Sequence, residues 1–183
     1  MTPRAVIILA EGFEEIEAIT PIDLLRRAGI EVIIAGLNAT DVRGSHDIVV
    51  RADCLLSQVG DDFTAIILPG GPGAAFLAES QPVLDFVKKA YAASKLCAAI
   101  CAAPVVLAKA GLLAGRKATC YPGREPELTG ATFVERTTVI DGNVITSRGA
   151  GTSVPFALEV IRYMAGATAA DKVGTAILHG VRR

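Results

Sequence analysis

The chain has 183 residues, 51% of them hydrophobic, with a formal net charge of -1. That balance argues against a basic nucleic-acid surface, and no apolar run reaches the ~20 residues needed to span a bilayer. A chain of this length buries roughly 70% of its unfolded surface, so residues 1–183 are expected to form a single domain. Met1-Thr2-Pro3-Arg4 leads into the first strand with no signal pattern, which predicts a cytoplasmic protein.

Strand-like and helix-like runs alternate along the chain. Ala5 to Ala10 reads as a buried strand, and Glu14 to Ala28 has helical spacing with Gly29 at its end. Ile30 to Gly36 is a second strand, and Asp47 to Arg51 a short one in an antiparallel ribbon. Thr64 to Leu68 is a central strand running into the turn Pro69-Gly70-Gly71-Pro72-Gly73. Pro82 to Ala93 reads as a helix. Leu96 to Ile100 is a strand, and Ala102 to Gly111 the helix after it, with Pro104 in its first turn. Arg116 to Cys120, Phe133 to Val139 and Val144 to Ser147 are further strands. Thr152 to Gly166 and Thr168 to His179 are terminal helices. Near-continuous apolar strands separated by helices predict a flavodoxin-like, doubly wound α/β fold with a mostly parallel sheet.

Functional groups in such sheets gather at the carboxyl ends of the strands. Cys101 falls there, directly between a strand and a helix, flanked by Ala98, Ala99, Ala102 and Ala103. This is the sequence form of a nucleophile elbow, with a thiol in place of a hydroxyl. The following helix is expected to acidify it. Cys97, within the strand, reads as core, and Cys120 as structural. The four cysteines, Cys54 included, show neither a CxxC pair nor zinc spacing.

After the first strand, Glu11, Glu14, Glu15 and Glu17 cluster at a helix start. Complementation of the helix dipole accounts for Glu14 and Glu15. Glu17 is placed to point across the sheet top toward Cys101, where burial and a thiolate would keep it protonated. The glycine turn has no P-loop lysine. It suits a backbone N–H at Gly71 that completes an oxyanion hole with the amide of Ala102. Arg148, in Thr146 to Thr152, reads either as a surface cation or as an anion contact. His46 lies in a loop and His179 faces solvent. Two distant histidines predict no metal cluster, and no cofactor is expected.

Four segments together carry a family resemblance: VIILAEGFEEIEAITPIDLLRRAG at 6–29, ILPGGPGA at 67–74, AAICAAP at 98–104 and TSRGAGTS at 146–153. They resemble the ThiJ/PfpI superfamily, in particular the branch of the Parkinson's-disease protein and its bacterial relatives. The resemblance implies a flavodoxin-like fold and a homodimer that uses the helix around Glu14 to Arg27. It places the family's elbow cysteine on Cys101, its buried acid on Glu17 and its Gly-Gly turn on Gly70 and Gly71. One departure stands out: where many relatives carry a histidine, this chain has Tyr121. With no base evident to activate the thiol, a cysteine protease or amidotransferase is disfavoured. Tyr121 is then a candidate substrate contact. His46 replaces an arginine of related chains.

Two functions are compatible with these residues. The first is a glutathione-independent glyoxalase or deglycase, a lyase or hydrolase acting on small aldehydes or dicarbonyls such as methylglyoxal. The second is a redox-sensing or chaperone-like stress protein in which Cys101 oxidises to sulfinate.

Overall fold

A computed structural model describes residues 3–180. Met1 and Thr2, read above as the lead-in to the first strand, lie outside the described residues. In chain order the elements are β1 (Arg4–Leu9), α1 (Glu15–Arg27), β2 (Glu31–Gly36), β3 (Asp41–Arg43), β4 (Val49–Arg51), β5 (Cys54–Leu55), β6 (Ala65–Leu68), α2 (Gly73–Glu79), α3 (Gln81–Ala92), β7 (Leu96–Ile100), α4 (Pro104–Lys109), β8 (Lys117–Ala118), β9 (Thr132–Phe133), β10 (Thr138–Asp141), β11 (Val144–Ser147), α5 (Ser153–Ala165) and α6 (Ala167–Ala176).

Seven strands form the central sheet in the order β10-β11-β7-β6-β1-β2-β5. Every pairing in it is parallel except β10 with β11. The two-residue period of the strands divides their apolar side chains between two faces. Val6, Ile8, Ile66, Leu68, Cys97 and Ala99 join one core cluster with residues of α2, α3 and α4. Ala5, Ile7, Leu9, Ile67, Ala98 and Ile100 join the other with residues of α1, α5 and α6. Both faces are thus covered in a flavodoxin-like α/β arrangement, which explains why these strands read as uninterrupted apolar runs. Among the described residues no helix is long and apolar enough to cross a membrane.

The strand order reverses at β1. The chain passes from β1 to β2 on one side and later returns to β6 on the other. A crevice opens at such a reversal, outside the carboxyl ends of the strands. Glu17 follows β1, Gly70 and Gly71 follow β6, and Cys101 follows β7, so the topology alone gathers them.

Several sequence expectations are corrected. Phe133 to Val139 is not one strand: Phe133 belongs to β9, and β10 begins at Thr138. Between them the Arg136 N–H turns back to the Val134 carbonyl (2.9 Å), which breaks the extended ladder. The strand expected over Arg116 to Cys120 shrinks to β8 and pairs with β9 outside the main sheet. Helix α2 has no counterpart in the sequence reading, being seven residues long and opening inside the glycine turn. The helix after Cys101 begins at Pro104 rather than Ala102.

Candidate active site

Cys101 has φ 65. A side chain in this left-handed region costs on the order of 1–3 kcal/mol unless its surroundings hold it there. Two backbone bonds do so. The Cys101 N–H donates to the Ser147 carbonyl (3.0 Å), and the Tyr121 N–H donates to the Cys101 carbonyl (2.8 Å). The elbow is thus pinned from β11 on one side and from the segment after β8 on the other. The backbone N–H groups of Gly71 and Ala102 lie beside its thiol and favour its charged form.

Glu17 sits in the first turn of α1 and is 1% exposed. Glu14 caps this helix, its side chain accepting from the Glu17 N–H (2.7 Å). Pro21, one turn further, has no N–H to give the Glu17 carbonyl, so the interior bond expected there is missing. The Glu17 Oε2 accepts from the Gly70 N–H (2.8 Å), while Oε1 is buried without a partner. The carboxyl lies within hydrogen-bonding reach of the Cys101 thiol. Gly70 is required here: a Cβ at this position would come 2.6 Å from the Cys101 Cβ and 2.7 Å from the Glu17 Oε2. Gly71 is equally constrained, with φ +79 and the Gly12 carbonyl 2.6 Å from where a Cβ would sit.

Burial pushes the Glu17 carboxyl up to about 7, against opposing bonds from Cys101 and the Gly70 amide. Burial and then the neighbouring Glu17 push the Cys101 thiol up to about 12, against the pull of the Gly71 and Ala102 amides. Burial thus opposes the acidification expected from a helix terminus. The helix itself starts three residues later. The two groups titrate as a pair whose first proton leaves near neutrality. The amides of Gly71 and Ala102 favour the remaining charge on sulfur, and that of Gly70 favours it on the carboxylate.

Cys101, Glu17, Gly70, Gly71 and Ala102 thus converge, as the sequence reading expected. Tyr121 is half exposed, with its ring placed where a Cβ on Gly149 would touch it at 3.3 Å. Arg148 pairs with Glu135 at 3.1 Å. Phe13 is 1% exposed and part of the core. All four cysteines are free thiols, Cys97 and Cys120 buried and Cys54 half-buried.

Three features escaped the sequence reading. Ser147 was visible only as part of a motif, because its hold on Cys101 depends on a pairing between β11 and β7. Glu15, assigned above to the helix dipole, is 5% exposed and bonded to the tip of the β3–β4 hairpin. Finally, Glu14, Glu15 and His46 meet, with side-chain polar atoms within 4.8 Å of one another.

A model of the DJ-1/PfpI family matches residues 3–163. The chain belongs to the DJ-1/PfpI family. It is 43% identical over 183 residues to protein dj-1beta of Drosophila melanogaster, covering 97% of this chain and 98% of that one. The crystal structure of that protein superposes with a TM-score of 0.95 over 99% of this chain and 100% of the other. A deglycase of Pyrococcus abyssi is 32% identical across 88% of this chain and 99% of its own. An oxidized DJ-1 from Toxoplasma gondii is 35% identical, with a TM-score of 0.94 over 98% of this chain and 100% of that structure.

The raised carboxyl has a consequence for stability. Glu17 ionises near 4.5 when unfolded but near 7 in the fold, so the native state holds the extra proton between those values. Stability should therefore fall as pH rises across that window, by up to about 3 kcal/mol. In thermal melts from pH 4.5 to 8, Glu17→Gln should flatten this decline and melt higher than wild type at pH 8. Parallel curves for the two proteins would show that Glu17 is ionised throughout.

Proposed function

We propose that this chain is a cysteine-dependent enzyme acting on small reactive carbonyl compounds, of the deglycase and glutathione-independent glyoxalase type. The observation that carries the reading is the convergence of the Cys101 thiol, the buried Glu17 carboxyl and the amides of Gly71 and Ala102. With methylglyoxal, the sulfur of Cys101, as thiolate, attacks the aldehyde carbon. A C–S bond forms and the carbonyl electron pair moves onto oxygen. The Gly71 and Ala102 N–H groups stabilise that oxyanion. Glu17, which holds the pair's proton while sulfur is charged, passes it to that oxyanion; as carboxylate it then removes the proton from the former aldehyde carbon and returns it to the adjacent carbon, while the hydroxyl proton moves to the former ketone oxygen. The product is a lactoyl thioester on Cys101. Water cleaves it to lactate and restores the thiol. A carboxyl titrating near 7 suits both halves of that transfer. Tyr121, half exposed and tied to Cys101 through its backbone N–H, orients the substrate in this reading, and Arg148 is the anion contact. The free thiols agree with a reducing, cytoplasmic setting.

Lactate production from methylglyoxal without glutathione tests the assignment. Wild type should give saturable turnover, with Cys101→Ala and Glu17→Gln each lowering kcat/KM at least ~100-fold, as loss of a nucleophile or general base does. Activity retained by either variant removes that residue from the mechanism.

A second reading has its own support. A protonated Glu17 can donate to a sulfinate oxygen, and the same two amides can bind the charged product of Cys101 oxidation. Intact-mass analysis after mild peroxide should then find two added oxygens on Cys101, and Glu17→Leu should change the extent of oxidation. If Cys101 stays reduced while other thiols react, this reading fails.

The active form is a homodimer in this proposal. Ile16 and Ile19 on α1 and Ile48 and Val49 on the hairpin are 41–55% exposed, on either side of the contact between Glu15 and His46. Apolar side chains grouped this way mark a surface that another molecule covers, and the family resemblance supplies a second copy. Sedimentation should give a dimer for wild type and a monomer for Ile16→Asp combined with Ile48→Asp. A monomeric wild type would refute the assembly.

A further inference from the structure

The tip of the β3–β4 hairpin is fastened to the turn that launches α1. The Gly12 N–H donates to the Arg43 carbonyl (2.8 Å), and the Ser45 N–H donates to the Phe13 carbonyl (2.9 Å). Phe13 and Gly44 are joined by a β-bridge. Most of the hold falls on Glu15. One carboxylate oxygen accepts from the His46 N–H (2.6 Å), and the other is bonded to the His46 Nδ1 (2.9 Å) and the Ser45 hydroxyl (3.1 Å). Gly44 leaves room for this carboxylate, since a Cβ there would run into it. Burial opposes the charge on Glu15, but the His46 ring, the His46 backbone and Ser45 bring it down to about 2.

None of these bonds involves Cys101, and the reaction proposed above uses none of these groups. Their position is what gives them meaning. Glu15 and Glu17 share the first turn of α1. The same turn holds the oxyanion loop, because the Glu14 N–H donates to the Gly70 carbonyl (3.0 Å) and the Gly73 N–H to the Gly12 carbonyl (2.9 Å). This end of α1 also lacks an internal restraint, since Pro21 leaves the Glu17 carbonyl without its helical donor. The hairpin supplies from outside the hold that the helix does not supply from within.

We propose that Glu15, clasped by Ser45 and His46, is a positioning residue that keeps the Glu17 carboxyl against Cys101. The inference rests on the assignment of Cys101 and Glu17 as the reacting pair. His46 faces Glu14 and Glu15 on α1 and Asp47 on its own hairpin, so its protonated form tightens the clasp. Without the clasp the first turn loosens and Glu17 moves away from sulfur. The thiol then loses its ionisable neighbour, and its titration changes as it does when Glu17 itself is replaced.

Alkylation of Cys101 by iodoacetamide reads this directly, with no assumption about substrate. The rate is followed from pH 5 to 10 by mass spectrometry of the Cys101 peptide, in wild type, Glu17→Gln, Glu15→Ala, Glu15→Gln and His46→Ala. Glu17→Gln should shift the profile. Glu15→Ala should shift it in the same direction, changing alkylation at pH 8 by roughly tenfold, the factor given by one unit of thiol acidity. His46→Ala should give a smaller shift, since the backbone and Ser45 bonds remain. Glu15→Gln, which preserves shape and one accepting oxygen, should lie between wild type and Glu15→Ala. Profiles of Glu15→Ala and His46→Ala that coincide with wild type, while Glu17→Gln shifts, overturn the positioning role and leave the reacting pair standing. If Glu17→Gln itself shifts nothing, both assignments fall. Should Glu15→Ala not fold, the exposed His46 variant decides the matter alone.

Discussion

A carboxyl and a thiol are buried side by side at the carboxyl end of this sheet, and the surroundings follow from the need to keep them there. Neither group can carry charge cheaply in such a place. Glu17 therefore retains its proton to near neutrality, and the negative charge that chemistry requires is spread over three backbone amides, those of Gly70, Gly71 and Ala102. The amides reach so close only because positions 70 and 71 lack a Cβ. The remaining requirement, a side chain standing above the sheet, is met by the left-handed Cys101 held between Ser147 and Tyr121.

This arrangement accounts for why two functional readings persist on one set of atoms. Addition of a thiolate to a carbonyl and oxidation of a thiolate by peroxide both begin at the same sulfur. Both place new negative charge on oxygen atoms beside the same amides. What separates them is the carboxyl. The carbonyl reaction asks Glu17 to give up and take back a proton, whereas a stable sulfinate asks it only to donate. A group that titrates near 7 can do either, so chemistry elsewhere on the substrate decides the outcome.

Much of this was legible in the sequence because the decisive signals are local. An apolar strand ending in Cys101, a glycine pair ending another, and an acid two residues into a helix each announce themselves within a few positions. The reversal of strand order then brings them together without further information. What stayed hidden depends on partners distant in sequence. Glu15 looks like any acid at a helix start until the hairpin tip thirty residues away closes over it. The burial that opposes ionisation of Cys101 was hidden too, because a helix start is visible in sequence and the depth of burial is not. The segment after Phe133 was overextended because β-branched and apolar residues continue past the point where the backbone turns back on itself.

The backbone at Cys101 also bears on how this fold could change. A left-handed φ of 65 suits glycine far better than any residue with a side chain. Selection for stability alone would place glycine at that position, and the gain would come with the loss of the thiol at the site. The fold is held below its own stability optimum by the atom it presents. Under mutational drift relaxed from function, position 101 is where this architecture would be first to settle.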